Sequence, residues 1–136
     1  MENEAGVSPD YLPMDPKRLL ERFHTALNTR DITNLVHLLQ VDFEQFRIGQ
    51  SQRNTVGIEA ARQEWERMFT TFTDFRADLL RQAIEGNVIW SEWRFSGSRG
   101  SGQGGDLRQE GVIILGVEEG LIAWTRTYLV DVAAEG

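Results

Sequence analysis

Leu107 to Asp131, reading LRQEGVIILGVEEGLIAWTRTYLVD, is the stretch that most restricts what this chain can fold into. It predicts two long strands joined by a tight turn at Glu118-Glu119-Gly120. Alternate residues of a strand point to opposite faces. One parity carries Gln109, Gly111, Ile113, Leu115, Ala123, Thr125, Thr127, Leu129 and Asp131. The other carries Val112, Ile114, Ile122, Trp124, Tyr128 and Val130, with Arg108, Glu110 and Arg126 among them. Both faces are apolar, so the hairpin needs two covers, and a chain of 136 residues with few helices supplies one. The second cover is expected to be a partner subunit.

At that length the chain is a single domain with one sizeable core. Its formal net charge of −7 opposes a phosphate backbone or an anionic membrane, so neither nucleic acid nor a membrane is an expected partner. The absence of cysteine removes disulfides, thiolate nucleophiles and cysteine-based zinc sites, and suits a reducing compartment. No secretory leader opens the chain and no apolar run is long enough to span a bilayer, so a soluble, cytoplasmic protein is expected.

Residues 1–14 are acidic and small, without sustained periodicity, and read as a flexible arm before a domain over 15–136. Asp15-Pro16 starts a first helix with an apolar stripe of Leu19, Leu20, Phe23, Ala26 and Leu27. Asp31 caps a second, in which Ile32, Leu35, Val36, Leu38 and Leu39 are apolar. From Asp42 to about Ile48, Phe43, Gln45 and Arg47 alternate with Glu44, Phe46 and Ile48 as a short strand, and GQSQRN reads as a polar loop. Gly57 precedes a third, aromatic helix through Ile58, Ala61, Trp65, Met68, Phe69 and Phe72. Phe75–Glu85 and Val88–Ser96 form two more strands about the turn at Gly86-Asn87. GSRGSGQGG (97–105) joins two strands, so no helix N-terminus stands behind it to hold a phosphate; a flexible hairpin tip is the expectation.

RFHTALNTRD (22–31), Gly57-Ile58-Glu59-Ala60, NVIWSEWRFSG (87–97) and VEEGLIAWTRTYLVD (117–131), in this order of elements, resemble the polyketide cyclase-like, or SnoaL-like, branch of the nuclear transport factor 2-like superfamily. The resemblance runs from about Leu19 to Asp131. It implies an α+β fold, a cone-shaped, strongly curved, mostly antiparallel sheet wrapped around the three helices of the N-terminal half. That fold hosts isomerases, cyclases, dehydratases, epoxide hydrolases and members that only bind or assemble.

The family's catalytic groups match this chain poorly. The tyrosine, base and second acid of the ketosteroid isomerases fall on Phe23, near Arg47 and near Ile113. The arginine and two aspartates of the limonene epoxide hydrolases fall on Trp93, Phe95 and Thr127. Arg99 stands where cyclase-like members carry a histidine; Asp131 stands where they carry an acid, and is the one candidate catalytic group. Strand parity combined with these matches lines a concave pocket with Phe23, Trp65, Phe69, Ser91, Trp93, Phe95, Ile113, Thr125, Thr127 and Leu129, with Arg47 near its mouth. Such a lining suits a small hydrophobic or aromatic molecule, although each aromatic taken singly also suits plain core filling. Arg47 suits either a ligand carboxylate or phenolate, or a salt bridge.

The opposite face carries Trp90, Glu92, Arg94, Ile114, Trp124, Arg126 and Tyr128, an alternation of aromatics, arginine and matched charges that suits a homodimer interface. His24 and His37 have no partner carboxylate at triad or ligand spacing. Histidine, aspartate and glutamate do not cluster at metal-ligand spacing, so no metal and no cofactor are expected. The expected function is binding of the small molecule, with isomerase, cyclase or hydrolase activity as one reading and a non-catalytic binding or interaction module as the other.

Overall fold

The computed structural model describes residues 14–99 and 104–133. The expected N-terminal arm lies outside the described residues over 1–13, and the tip of the glycine-rich loop lies outside them over 100–103.

Helix α1 (Pro16–Asn28) starts where the sequence caps it: Asp15 accepts the Arg18 amide at 2.8 Å, and Pro16 takes the first helical position, where no amide is needed. It buries Leu19, Leu20, Phe23, Ala26 and Leu27. It ends in a Schellman turn, the Arg30 amide donating to Leu27 O at 3.2 Å and the Asp31 amide to Ala26 O at 2.9 Å. Arg30 holds φ 53°, a conformation usually left to glycine. Its guanidinium donates to Phe75 O at 3.0 Å, which helps to hold that turn against the core.

Asp31 then caps α2 (Ile32–His37) through the Asn34 amide at 3.1 Å. This helix is shorter than its apolar stripe implied, because β1 (Leu39–Arg47) begins at Leu39 rather than Asp42. The reason is tertiary: the Ile122 amide donates to Leu38 O at 2.8 Å, and a ladder with a strand distant in sequence overrides local helical spacing. Just after the stretch read as a polar loop, β2 (Thr55–Val56) pairs antiparallel with Gln45 and Glu44. Helix α3 (Ile58–Thr71) follows Gly57, and β3 (Arg76–Glu85), β4 (Val88–Gly97), β5 (Leu107–Glu118) and β6 (Leu121–Asp131) are the remaining strands among the described residues. Both short hairpins close through left-handed backbone, at the pair Glu119 (φ 53°) and Gly120 (φ 78°) in one, and at Gly86 alone (φ 59°), before Asn87, in the other.

The six strands form one curved, unclosed sheet in the order β2-β1-β6-β5-β4-β3, mixed because β1 runs parallel to β6. The helices lie on the concave side, α1 against β3 and β4 and α3 against β1, and the core fills the space between. The opening hairpin is at the centre of the sheet, as its two apolar faces demanded. Its parity differs from the alternation at one place. The β5–β6 register shifts between Gly116↔Trp124 and Val117↔Ile122, so Ile122 turns into the core and is 0% exposed, rather than sharing the face of Trp124. On the convex face the Trp124 indole lies over Gly116, where a Cβ would come within 2.0 Å of the ring.

At the outer edge, β3 offers backbone groups that no further strand among the described residues takes up. Asn28 at the end of α1 supplies the missing partner, accepting the Ala77 amide at 2.7 Å and donating to Ala77 O at 2.9 Å. His24 Nε2 bonds the same carbonyl at 2.9 Å, so this histidine ties α1 to the sheet. No helix among the described residues is long and apolar enough to cross a membrane.

Candidate functional site

Alternation along β1 and β6 aims Phe43, Gln45 and Arg47, and Thr125, Thr127 and Leu129, at the concave side, where α1 contributes Phe23 and α3 contributes Trp65 and Met68. They surround a cavity of ≈ 60 Å³, about the space of two waters. Eight of the expected lining residues meet there: Phe23, Arg47, Trp65, Phe95, Ile113, Thr125, Thr127 and Leu129.

Phe69, Ser91 and Trp93 do not line it. The aromatic side chains run as a continuous series of tilted and edge contacts, Phe69–Phe75 at 5.5 Å, Phe75–Phe95 at 5.2 Å, Phe95–Trp93 at 5.8 Å, Trp93–Phe23 at 5.9 Å and Phe23–Trp65 at 6.4 Å between ring centroids. Phe69 ends that series and Trp93 lies within it, and both are buried in the core. The Trp93 indole donates to Ser91 Oγ at 2.7 Å and Ser91 Oγ donates to Ile113 O at 2.6 Å, which satisfies both polar groups within the core.

Parity had placed Gln45 and Gln109 on this side without singling them out, and both line the cavity. Glu64 was missed altogether. From α3 its Oε1 accepts Arg47 Nη2 in an ion pair whose side chains are 18% (Arg47) and 15% (Glu64) exposed. Spacing marks the position, since Glu64 stands between Ala61 and Met68 on the apolar stripe of α3, where an acid needs a partner, but it does not name Arg47 as that partner. Two polar atoms in the cavity's lining residues remain buried without a hydrogen-bond partner among the described residues, Arg47 Nε and Thr125 Oγ1. Among the described residues the lining contains no carboxylate and no histidine.

Asp131 is exposed at the end of β6, where its Oδ1 accepts Gln109 Nε2 at 3.1 Å. His37 is exposed on α2. Outside the cavity, Asp74 accepts the Ser98 amide at 2.7 Å; hydrogen bonds from Ser98 hold this carboxyl below its ordinary value of 3.8. Among the described residues no three histidines, aspartates or glutamates come together to hold a metal ion.

The residues expected at an interface do share the convex face. One register row reads Phe46, Arg126, Ile114, Trp90 from β1 across to β4, and Arg126 sits over the Phe46 ring at 5.9 Å. Beside it, Arg126 Nε lies 3.4 Å from Tyr128 OH, Arg94 pairs with Glu110 at 2.8 Å and Arg81 with Glu92 at 3.0 Å. Trp90 is 48% exposed and Tyr128 39%.

The family model described as the SnoaL-like domain matches residues 20–125. Among solved structures, an uncharacterised cystatin-fold protein from Novosphingobium aromaticivorans superposes with TM-score 0.74 at 14% identity, covering 86% of this chain and 98% of its own. IdmH from Streptomyces antibioticus, a candidate polyketide cyclase, superposes with TM-score 0.72 at 16% identity over 85% of this chain and 92% of its own. An epoxide hydrolase from M. tuberculosis superposes with TM-score 0.67 at 22% identity over 83% and 80%. Identities this low show a shared fold alone. No curated protein matches the chain in sequence.

Proposed function

The chain belongs to the SnoaL-like domain family, and on that premise we propose that it binds a small, largely apolar or aromatic molecule in the cavity beneath the concave sheet. The observation that carries this reading is the pair of buried polar atoms unpartnered among the described residues, Arg47 Nε and Thr125 Oγ1, at a mostly aromatic and aliphatic lining whose other polar members are Gln45, Gln109 and Thr127. Interiors rarely leave such atoms unsatisfied unless something else meets them. Binding takes precedence over catalysis because the described residues lining the cavity include no carboxylate or histidine, and the carboxylate that reaches its polar corner, Glu64, is tied up in its ion pair with Arg47. A catalytic Asp131 would act on the ligand only by way of Gln109. The same reading has the protein working as a homodimer through the convex face, in the cytoplasm, where its cysteine-free composition suits a reducing environment.

Mass spectrometry of material extracted from the purified protein tests the binding, with Leu129→Trp as the filled-cavity comparison. A small organic molecule carried by the wild type and lost from Leu129→Trp is expected. Identical extracts from the two proteins would count against the cavity as the site.

A further inference from the structure

The polar corner of the cavity lies where β1 and β6 run side by side, Gln45 next to Thr125 and Arg47 next to Thr127. Glu64 reaches it from α3. The side edge of a guanidinium, Nε with Nη2, presents two parallel donors at the spacing of the two oxygens of a carboxylate. Here that edge is half used. Nη2 donates to Glu64 Oε1, while Nε is buried and unpartnered among the described residues. Thr125 is 5% exposed and its hydroxyl is unpartnered in the same way. Arg47 is the one basic side chain among the described residues that line the cavity.

We propose that the cavity takes a small carboxylate whose two oxygens span Nε and Nη2 of Arg47 in place of Glu64, with the Thr125 hydroxyl donating to the nearer oxygen and the apolar body lying against Phe23, Trp65 and Ile113. The inference rests on the ligand-binding reading and names the class of ligand. The cavity of ≈ 60 Å³ has no room for a benzoate ring as it stands, so lining side chains move apart on binding, for a charged and a neutral ring alike. The chain's net charge of −7 works against any anion at long range, so the affinity comes from this single fork.

Isothermal titration of the intact protein with benzoate, and with benzamide as a neutral probe of the same shape, tests the exchange. The wild type is expected to prefer benzoate. Glu64→Gln removes the internal competitor and raises the ratio of benzoate to benzamide affinity about tenfold, and Arg47→Met lowers that ratio at least about tenfold. Benzamide bound as tightly as benzoate by the wild type, or a ratio unmoved by Glu64→Gln, overturns the carboxylate exchange and leaves the cavity reading standing. Failure of the wild type to bind either probe at millimolar concentration overturns both. Far-UV circular dichroism establishes that each variant is folded, and if Arg47→Met is not, the near-isosteric Glu64→Gln decides.

Discussion

Ser91 illustrates how single polar atoms are managed inside this protein. It is 1% exposed, accepts the Trp93 indole and passes a hydrogen bond on to Ile113 O, so the largest side chain in the core has no unpaired donor. Ser91→Ala strands the indole N–H at a site with no access to water, which costs about 1–3 kcal/mol. Equilibrium urea denaturation is the measurement. In the double variant with Trp93→Phe the Ser91→Ala cost is expected to shrink, because the donor it strands is gone; an unchanged cost would show that the hydrogen bond is not what Ser91 contributes. Arg47 and Thr125 are the contrast, buried polar atoms with no such internal partner, and that difference separates core from candidate site.

Between elements, the contact most exposed to failure is α1 on the edge strand β3. Asn28 closes two hydrogen bonds on Ala77, a buried residue whose own strand has no further neighbour to bond it. Asn28→Ala leaves the Ala77 amide without a partner while His24 still bonds the carbonyl, so a loss of about 1–3 kcal/mol is expected. Hydrogen exchange resolves it: the Ala77 amide should lose protection selectively, and full retention of its protection would mean that the clamp is not what shields it. The same docking holds Phe23 in its edge contact with Trp93 and over the cavity, so the clamp bears on the site as well as on the fold.

For the whole molecule, the open question is what covers the convex face. The helices occupy the concave side, and Trp90 and Tyr128 remain 48% and 39% exposed beside paired charges on the outer side. Burial of such a face by its own copy is the expected resolution, because exposed aromatics at the centre of a patch are where association energy concentrates. Trp90→Glu places a charge on that patch without entering the core. Sedimentation at micromolar concentration should show a wild-type dimer and a monomeric variant with unchanged far-UV circular dichroism. A wild-type monomer would remove the need for a second cover.

The sequence by itself determined the three helices and the five longer strands, apart from the start of β1, and through strand parity most of the faces. Capping at Asp15 and Asp31, the two left-handed turns and the alternation along β4, β5 and β6 are local physics, set by residues adjacent in the chain. Where local spacing met a distant ladder, tertiary structure decided. Leu39 left its helix for a parallel pairing with Ile122, and one register shift turned Ile122 from the outer face into the core. The candidate site divides the same way. Thr125, Thr127 and Ile113 followed from parity, whereas packing withdrew Phe69, Ser91 and Trp93 into the core. Glu64 reached Arg47 because α3 crosses β1, a meeting that spacing within one helix does not encode. Periodicity reports which side of an element a residue faces; only the packing of elements against one another decides which of the inward side chains touch and where a space is left between them.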